Sequence, residues 1–216
     1  MKKIYSLTLV LLLIGSVLKG QNSSPVFFDE FSMLLSKANL NYGIEKEGPG
    51  FGFGVYKNIF SKKIVNLVPG FEFNRSVQYI EQMSSGHYGK YTDLTIYIST
   101  LSFPVYARVN FGHKVKFFLE AGAFVDFTLG SQRKGMSHFY KPGVGEPPDE
   151  GFPFEEKLNL EGINYGMSMG LGISIPVSKI NLIIKPDYKF GVRALYSYQD
   201  SVFNRYFRLA VAIKLF

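Results

Sequence analysis

The sequence predicts an all-β protein, an eight-stranded antiparallel up-and-down transmembrane β-barrel, and three observations carry that expectation. An export leader opens the chain. Stretches of about nine or more residues then alternate between an uncharged and a polar set, the period of a strand. The connections between these stretches alternate between tight and long.

The leader is "MKKIYSLTLVLLLIGSVLKGQ": Lys2 and Lys3 precede an apolar run from Ile4 to about Leu18, and Gly20 stands before Gln21. That is the layout of a signal peptide over residues 1–20. The apolar run falls short of the roughly 20 residues a spanning helix needs. The chain has no cysteine, which excludes a lipid-anchored lipoprotein and a disulfide framework. Residues 21–34 read as a lead segment and 35–216 as one barrel domain, with no linker dividing them. The formal charge of +7 falls by three when Lys2, Lys3 and Lys19 leave with the leader. What remains is too weak and dispersed to indicate nucleic acid.

The strands follow in order, the first two being weak copies of the pattern. They lie at about 36–45 (Ala38, Leu40, Tyr42, Ile44) and 51–59 (Phe51, Phe53, Val55, Ile59). The third, 64–73, sets Val65, Leu67, Pro69, Phe71 and Phe73 against Asn66, Val68, Gly70 and Glu72. The fourth, 101–111, sets Leu101, Phe103, Val105, Ala107, Val109 and Phe111 against a face with Tyr106 and Arg108. In 115–129 the uncharged stripe from Val115 to Leu129 opposes Lys116, Glu120 and Asp126. In 165–175, Tyr165, Met167, Met169, Leu171, Ile173 and Ile175 oppose only glycines and serines. The stretch 182–196 opposes Leu182, Ile184, Pro186, Tyr188, Phe190, Val192, Ala194 and Tyr196 to Lys185, Asp187, Lys189 and Arg193. The last, 207–215, opposes Phe207, Leu209, Val211, Ile213 and Leu215 to Arg208 and Lys214.

Tight turns fall at "SKK" (61–63), "GHK" (112–114) and "VSK" (177–179). Long connections fall at 80–93 and 132–160, "QDSVFN" is moderate, and the first, near "KEGPG", is short. Long loops at one rim and short turns at the other mark an outer-membrane barrel, with termini and tight turns in the periplasm of a Gram-negative cell. A soluble lipocalin-like barrel would instead leave the Gly166/Ser168/Gly170/Gly172/Ser174 face bare on the outside. Inside a narrow barrel the same small residues make room for long charged neighbours. Lys57, the one charge in phase with the uncharged stripes, sits near the periplasmic end where it can snorkel. Tyr97, Phe111, Phe127, Tyr165, Tyr196 and Phe207 suit interfacial girdles.

The order of "TLSFPVYARVNFG", "VKFFLEAGAFVDFTLG", "GMSMGLGISIPV", "YKFGVRAL" and a terminal Phe216 resembles the PorT-like outer-membrane β-barrels of Bacteroidetes over nearly the whole mature chain. The resemblance implies an outer-membrane location and a small OmpA/OmpX-like barrel. It implies no settled activity, and one member type assists protein secretion. Phe216 departs from the usual pattern, because it shares its phase with Ala210, Ala212 and Lys214.

With uncharged stripes toward lipid, the lumen receives Glu72, Arg108, Glu120, Asp126, Lys185, Asp187, Lys189, Arg193 and Arg208. Counting along the strands brings Glu72 to Lys185 or Lys189, while Glu120 and Asp187 neutralise the remaining lysine and Arg208. Eight strands leave a lumen that side chains fill, which disfavours a solute pore. The function expected is structural or surface interaction, with outer loops as contact surface through Phe139, Tyr140, Phe152 and Phe154. The alternative is an accessory of a secretion or transport machine. A loop-based lipid A hydrolase or protease is a weaker reading. Ser84, Ser85, His87 and Asp93, or Ser137 and His138, supply the residue types without a spacing that enforces a triad. His113 lies in a tight turn and reads as solvated. The acidic run Glu146, Asp149, Glu150, Glu155 and Glu156 can hold Ca²⁺ or Mg²⁺, but a solvated loop is the simpler reading. No catalytic residue, metal or cofactor is assigned. The expected partners are outer-membrane lipid and lipopolysaccharide, the barrel-assembly machinery and other envelope proteins, with no nucleic acid and a monomeric state.

Overall fold

A pleated chain turns every second side chain to one face, and nine stretches of this chain take that form in the computed structural model. They are β1 (Glu30–Ala38), β2 (Gly48–Tyr56), β3 (Val65–Ser84), β4 (Gly89–Phe111), β5 (Lys116–Phe139), β6 (Phe152–Lys157), β7 (Ile163–Val177), β8 (Ile180–Tyr196) and β9 (Gln199–Leu215). The structure describes residues 27–38, 48–59, 64–84, 89–139, 151–160, 162–196 and 199–215. Every pairing between strands is antiparallel. β1 pairs with β2 on one side and β9 on the other, and the β4–β5 pairing closes an eight-membered ring of β1, β2, β3, β4, β5, β7, β8 and β9. β6 stands outside the ring, bonded to residues 132–137 of β5.

The polarity of the ring is that of a membrane barrel. Met33, Phe53, Phe71, Val105, Leu119, Met169, Ile184 and Leu209 are exposed on its outside, whereas Glu72, Arg108, Glu120, Lys185, Lys189 and Arg208 are buried within. A soluble barrel has the opposite arrangement, and monomeric soluble proteins seldom expose apolar patches above a few hundred Å². Phe28, Phe71, Phe103 and Phe127 run obliquely across the outer wall with successive ring centroids 5.9, 4.9 and 5.6 Å apart.

Three expectations need correction. The first strand is Glu30–Ala38 and not 36–45, so residues 30–34 belong to the barrel. Leu34 points inward there, 1% exposed, and breaks the alternation that would have marked the strand. Residues 39–47, with Leu40, Tyr42 and Ile44, lie outside the described residues, as do 60–63 and Phe216. The second correction concerns the long connections: most of 80–93 and part of 132–160 are strand, because β3, β4 and β5 run to 20, 23 and 24 residues. A tilted membrane strand needs only about 9–11. Along β4 the apolar face changes sides: Leu101, Phe103 and Val105 point outward, but Leu94, Ile96 and Ile98 point inward and pack with Leu158. Where the outer face meets water instead of lipid, apolar side chains move inside. Third, β9 begins at Gln199, which turns all of "QDSVFN" into strand. Phe207 then lies mid-strand against Tyr188, 4.7 Å between ring centroids.

The tight turns use the backbone geometry their lengths require. Ser178 takes φ 56° between β7 and β8, and Gly112 takes φ 91° between β4 and β5, a left-handed conformation that glycine adopts without a Cβ penalty.

Candidate functional site

The side chains that β1, β3, β4, β5, β8 and β9 send inward meet as one chain of charges, alternating in sign, across the lumen. Glu30 begins it, 2.7 Å from Arg108, whose Nε donates to Glu120 at 2.7 Å. Lys185 donates to the other Glu120 oxygen and stands 3.6 Å from Asp187. Asp187 accepts from Arg208 at 2.7 Å, and Arg208 donates to Glu72 at 2.6 Å. Lys189 lies 3.6 Å from Glu72 and 3.0 Å from Asp126, where the chain ends. Glu72 thus lies beside Lys189 of β8, Glu120 beside Lys185, and Asp187 beside Lys185 and Arg208.

Register explains the meeting. Arg108 faces Glu120 across the β4–β5 ladder, and Asp187 faces Arg208 across β8–β9. Links between strands that are not neighbours, such as Glu30 to Arg108 and Glu72 to Arg208, cross the lumen itself. Neutral groups complete it: Tyr56 and Tyr106 donate to Glu72 at 2.8 and 3.0 Å, and Lys189 donates to Ser102 at 2.8 Å. Rings cover the cations, with Arg108 4.5 Å from the Phe118 centroid, Lys185 4.7 Å from Tyr106 and Lys189 3.9 Å from Phe124. A buried charge without a partner is costly. Here each cation has at least one carboxylate, so the lumen can be both charged and filled.

Glycines on the inward face make space for this filling. A Cβ at Gly172 would enter the Phe118 ring, and one at Gly170 would lie 2.7 Å from Asp187 Cβ. The small-residue face of β7 therefore accommodates an aromatic ring as well as charged neighbours.

Arg193 stands apart from the chain of charges, donating to the Ile163 carbonyl at 3.1 Å. Sequence reasoning missed Glu30, which falls in the segment read as a lead, and the two tyrosines. Their only signal is an inward phase that could be assigned once the strand bounds were known.

The loop residues separate. Phe139 and Phe152 are exposed, whereas Phe154 packs against the Leu94/Ile96/Ile98/Leu158 cluster and lies 5.0 Å from the Tyr91 ring. Tyr140, Ser85, His87, Glu146, Asp149 and Glu150 lie outside the described residues. Asp93 accepts a hydrogen bond from Tyr79, and His138 Nε2 lies 2.9 Å from Thr92 Oγ1. His113 is exposed in its turn. Glu156 pairs with Arg133 at 2.5 Å and Glu155 accepts from Gln132. Lys57 lies 3.5 Å from Asp29.

Residues 28–197 match the family described as outer membrane protein beta-barrel domain. No curated protein matches the chain. Among solved structures it is similar to Neisserial surface protein A, with 13% identity, 87% of this chain and 95% of that one covered, and a TM-score of 0.49. It is also similar to Ail, the attachment invasion locus protein of Yersinia pestis (12% identity, 87% and 96% covered, TM-score 0.41), and to the outer membrane enzyme PagL (13%, 85% and 98%, 0.38). A closed antiparallel ring, apolar outside and charged within, is the architecture of that matching family, and the chain belongs to the outer membrane protein beta-barrel domain family.

Proposed function

We propose that the protein is a sealed outer-membrane barrel whose work is done at its outer rim, as a structural or surface-interaction protein and not as a pore. The observation that carries this reading is the ion chain from Glu30 to Asp126, which spans the lumen with buried charges. In the proposed orientation the tight turns and both termini face the periplasm, and β3 to β6 project outward. That projecting sheet offers Phe139 and Phe152, both exposed, as contact residues. The order of motifs along the chain supports placement with the PorT-like barrels.

Orientation and contact surface are tested together. The chain lacks cysteine, so Phe139→Cys, Phe152→Cys and Phe154→Cys variants each carry one thiol. On intact cells a membrane-impermeant maleimide labels the first two quickly and the third slowly, since Phe154 is packed. Labelling of the first two only after the outer membrane is opened inverts the orientation.

A further inference from the structure

Inside the barrel each lysine or arginine of the ion chain has a carboxylate, but among the described residues three cations on the outer wall of the ring do not. Arg75 on β3 and Lys134 on β5 flank Tyr97 of β4, with Arg75 Cζ 5.1 Å and Lys134 Nζ 5.3 Å from its ring centroid. Arg205 on β9 lies 3.9 Å from the Phe190 centroid and 4.6 Å from that of Phe203. Among the described residues none of the three forms an ion pair. Glu155, which faces Lys134 across the β5–β6 ladder, accepts its hydrogen bond from Gln132 instead.

Their depth says what they meet. Arg75 pairs in register with Ser99, the level at which β4 changes its apolar face from outward (Leu101) to inward (Ile98). That change marks the edge of the lipid band. Val65 and Arg75 are ten residues apart in the chain. At about 3.3 Å per residue and a tilt of roughly 40°, Arg75 stands about 25 Å above Val65, the height of the apolar band. Leu215 and Arg205 have the same separation. Two unpaired cationic sites on separate parts of the wall thus share one level, at the rim bearing the long hairpins.

We propose that Arg75, Tyr97 and Lys134 form a binding site for a phosphate group of a lipid A-type glycolipid of the outer leaflet, with Arg205 as a second, single-cation contact at the same depth. Phosphate oxygens suit the guanidinium fork of Arg75 and the point charge of Lys134. Tyr97 holds both cations by its ring face while exposing apolar surface toward acyl chains. The neighbouring groove lined by Asp93, Thr95, Lys134, Pro153, Phe154 and Glu155, about 450 Å³, gives the sugar a mixed polar and apolar wall. The proposal rests on the outward orientation of the long hairpins.

The full chain in detergent is examined by native mass spectrometry with three probes: bisphosphorylated lipid A, its dephosphorylated form, and phosphatidylglycerol. The expected result is at least tenfold stronger retention of bisphosphorylated lipid A than of either other lipid. Arg75→Gln/Lys134→Gln loses that preference, Arg205→Gln loses part of it, and Lys57→Gln keeps it. Heat-dependent gel mobility shows which variants remain folded, and Lys134→Gln alone, with a several-fold loss, serves if the double variant does not. Equal retention of the dephosphorylated lipid or of phosphatidylglycerol overturns the proposal, as does undiminished binding by a folded variant. Failure of the orientation is separately visible, because it reverses the cysteine labelling.

Discussion

Removing Glu72 tests the ion chain at its most connected carboxylate. It is 0% exposed and accepts from Arg208 at 2.6 Å, Tyr56 at 2.8 Å and Tyr106 at 3.0 Å, with Lys189 at 3.6 Å. Breaking one partner of a buried pair costs about 3–5 kcal/mol. Glu72→Ala belongs in that range, because Arg208 keeps Asp187 but loses its shorter contact. Arg208→Ala leaves Glu72 only Lys189 and Asp187 only Lys185, each at the longer distance of 3.6 Å, and costs as much or more. In the double variant neither Glu72 nor Arg208 is left facing a missing partner, so its loss falls below the sum of the singles by about 2 kcal/mol, within the usual range for contacting charges. Lys189 has a nearer acid in Asp126, at 3.0 Å. The Glu72/Lys189 cycle therefore shows weaker coupling, nearer about 0.5 kcal/mol. Urea titration in lipid-containing micelles, with folded fraction read from unheated gels, supplies all five free energies. Additivity of Glu72→Ala and Arg208→Ala to within about 0.3 kcal/mol would mean the charges are hydrated and independent, and would refute the plug.

Other predictions follow from packing and polarity. Gly172→Val drives a side chain into the Phe118 ring, which itself carries Arg108, and should destabilise the barrel by about 1–3 kcal/mol in the same titration. Fractionated cells should yield the protein in the outer membrane, migrating differently on gels before and after boiling. A soluble periplasmic protein with heat-independent mobility would end the membrane reading.

What could be read from the sequence depended on which solvent each face meets. β7, β8 and the lipid-spanning parts of β3, β5 and β9 were legible because lipid forces one face to be apolar, and Lys185, Asp187, Lys189 and Arg208 then had to point inward. β1 was displaced because the inward Leu34 sits between Met33 and Leu35 and erases the alternation. The projecting hairpins were read as loops because polarity reverses above the bilayer, so Leu94, Ile96 and Ile98 continue the apolar count on the wrong face. β6, "FPFEEK", carries a proline and three charges, and pairing with β5 rather than composition makes it a strand. At the site, charge complementarity across the ring could be counted out. Glu30 depended on a strand not yet located. Tyr56 and Tyr106 were silent because a tyrosine suits a lipid interface as well as a lumen.

Planar-bilayer recording of the purified wild-type barrel tests the sealed lumen most directly. With the chain from Glu30 to Asp126 intact, insertion of folded protein should give no large steady conductance, whereas Glu72→Ala/Arg208→Ala should open brief current steps. A stable open channel in most wild-type insertions would contradict the account, for it would show water where the ion chain is placed.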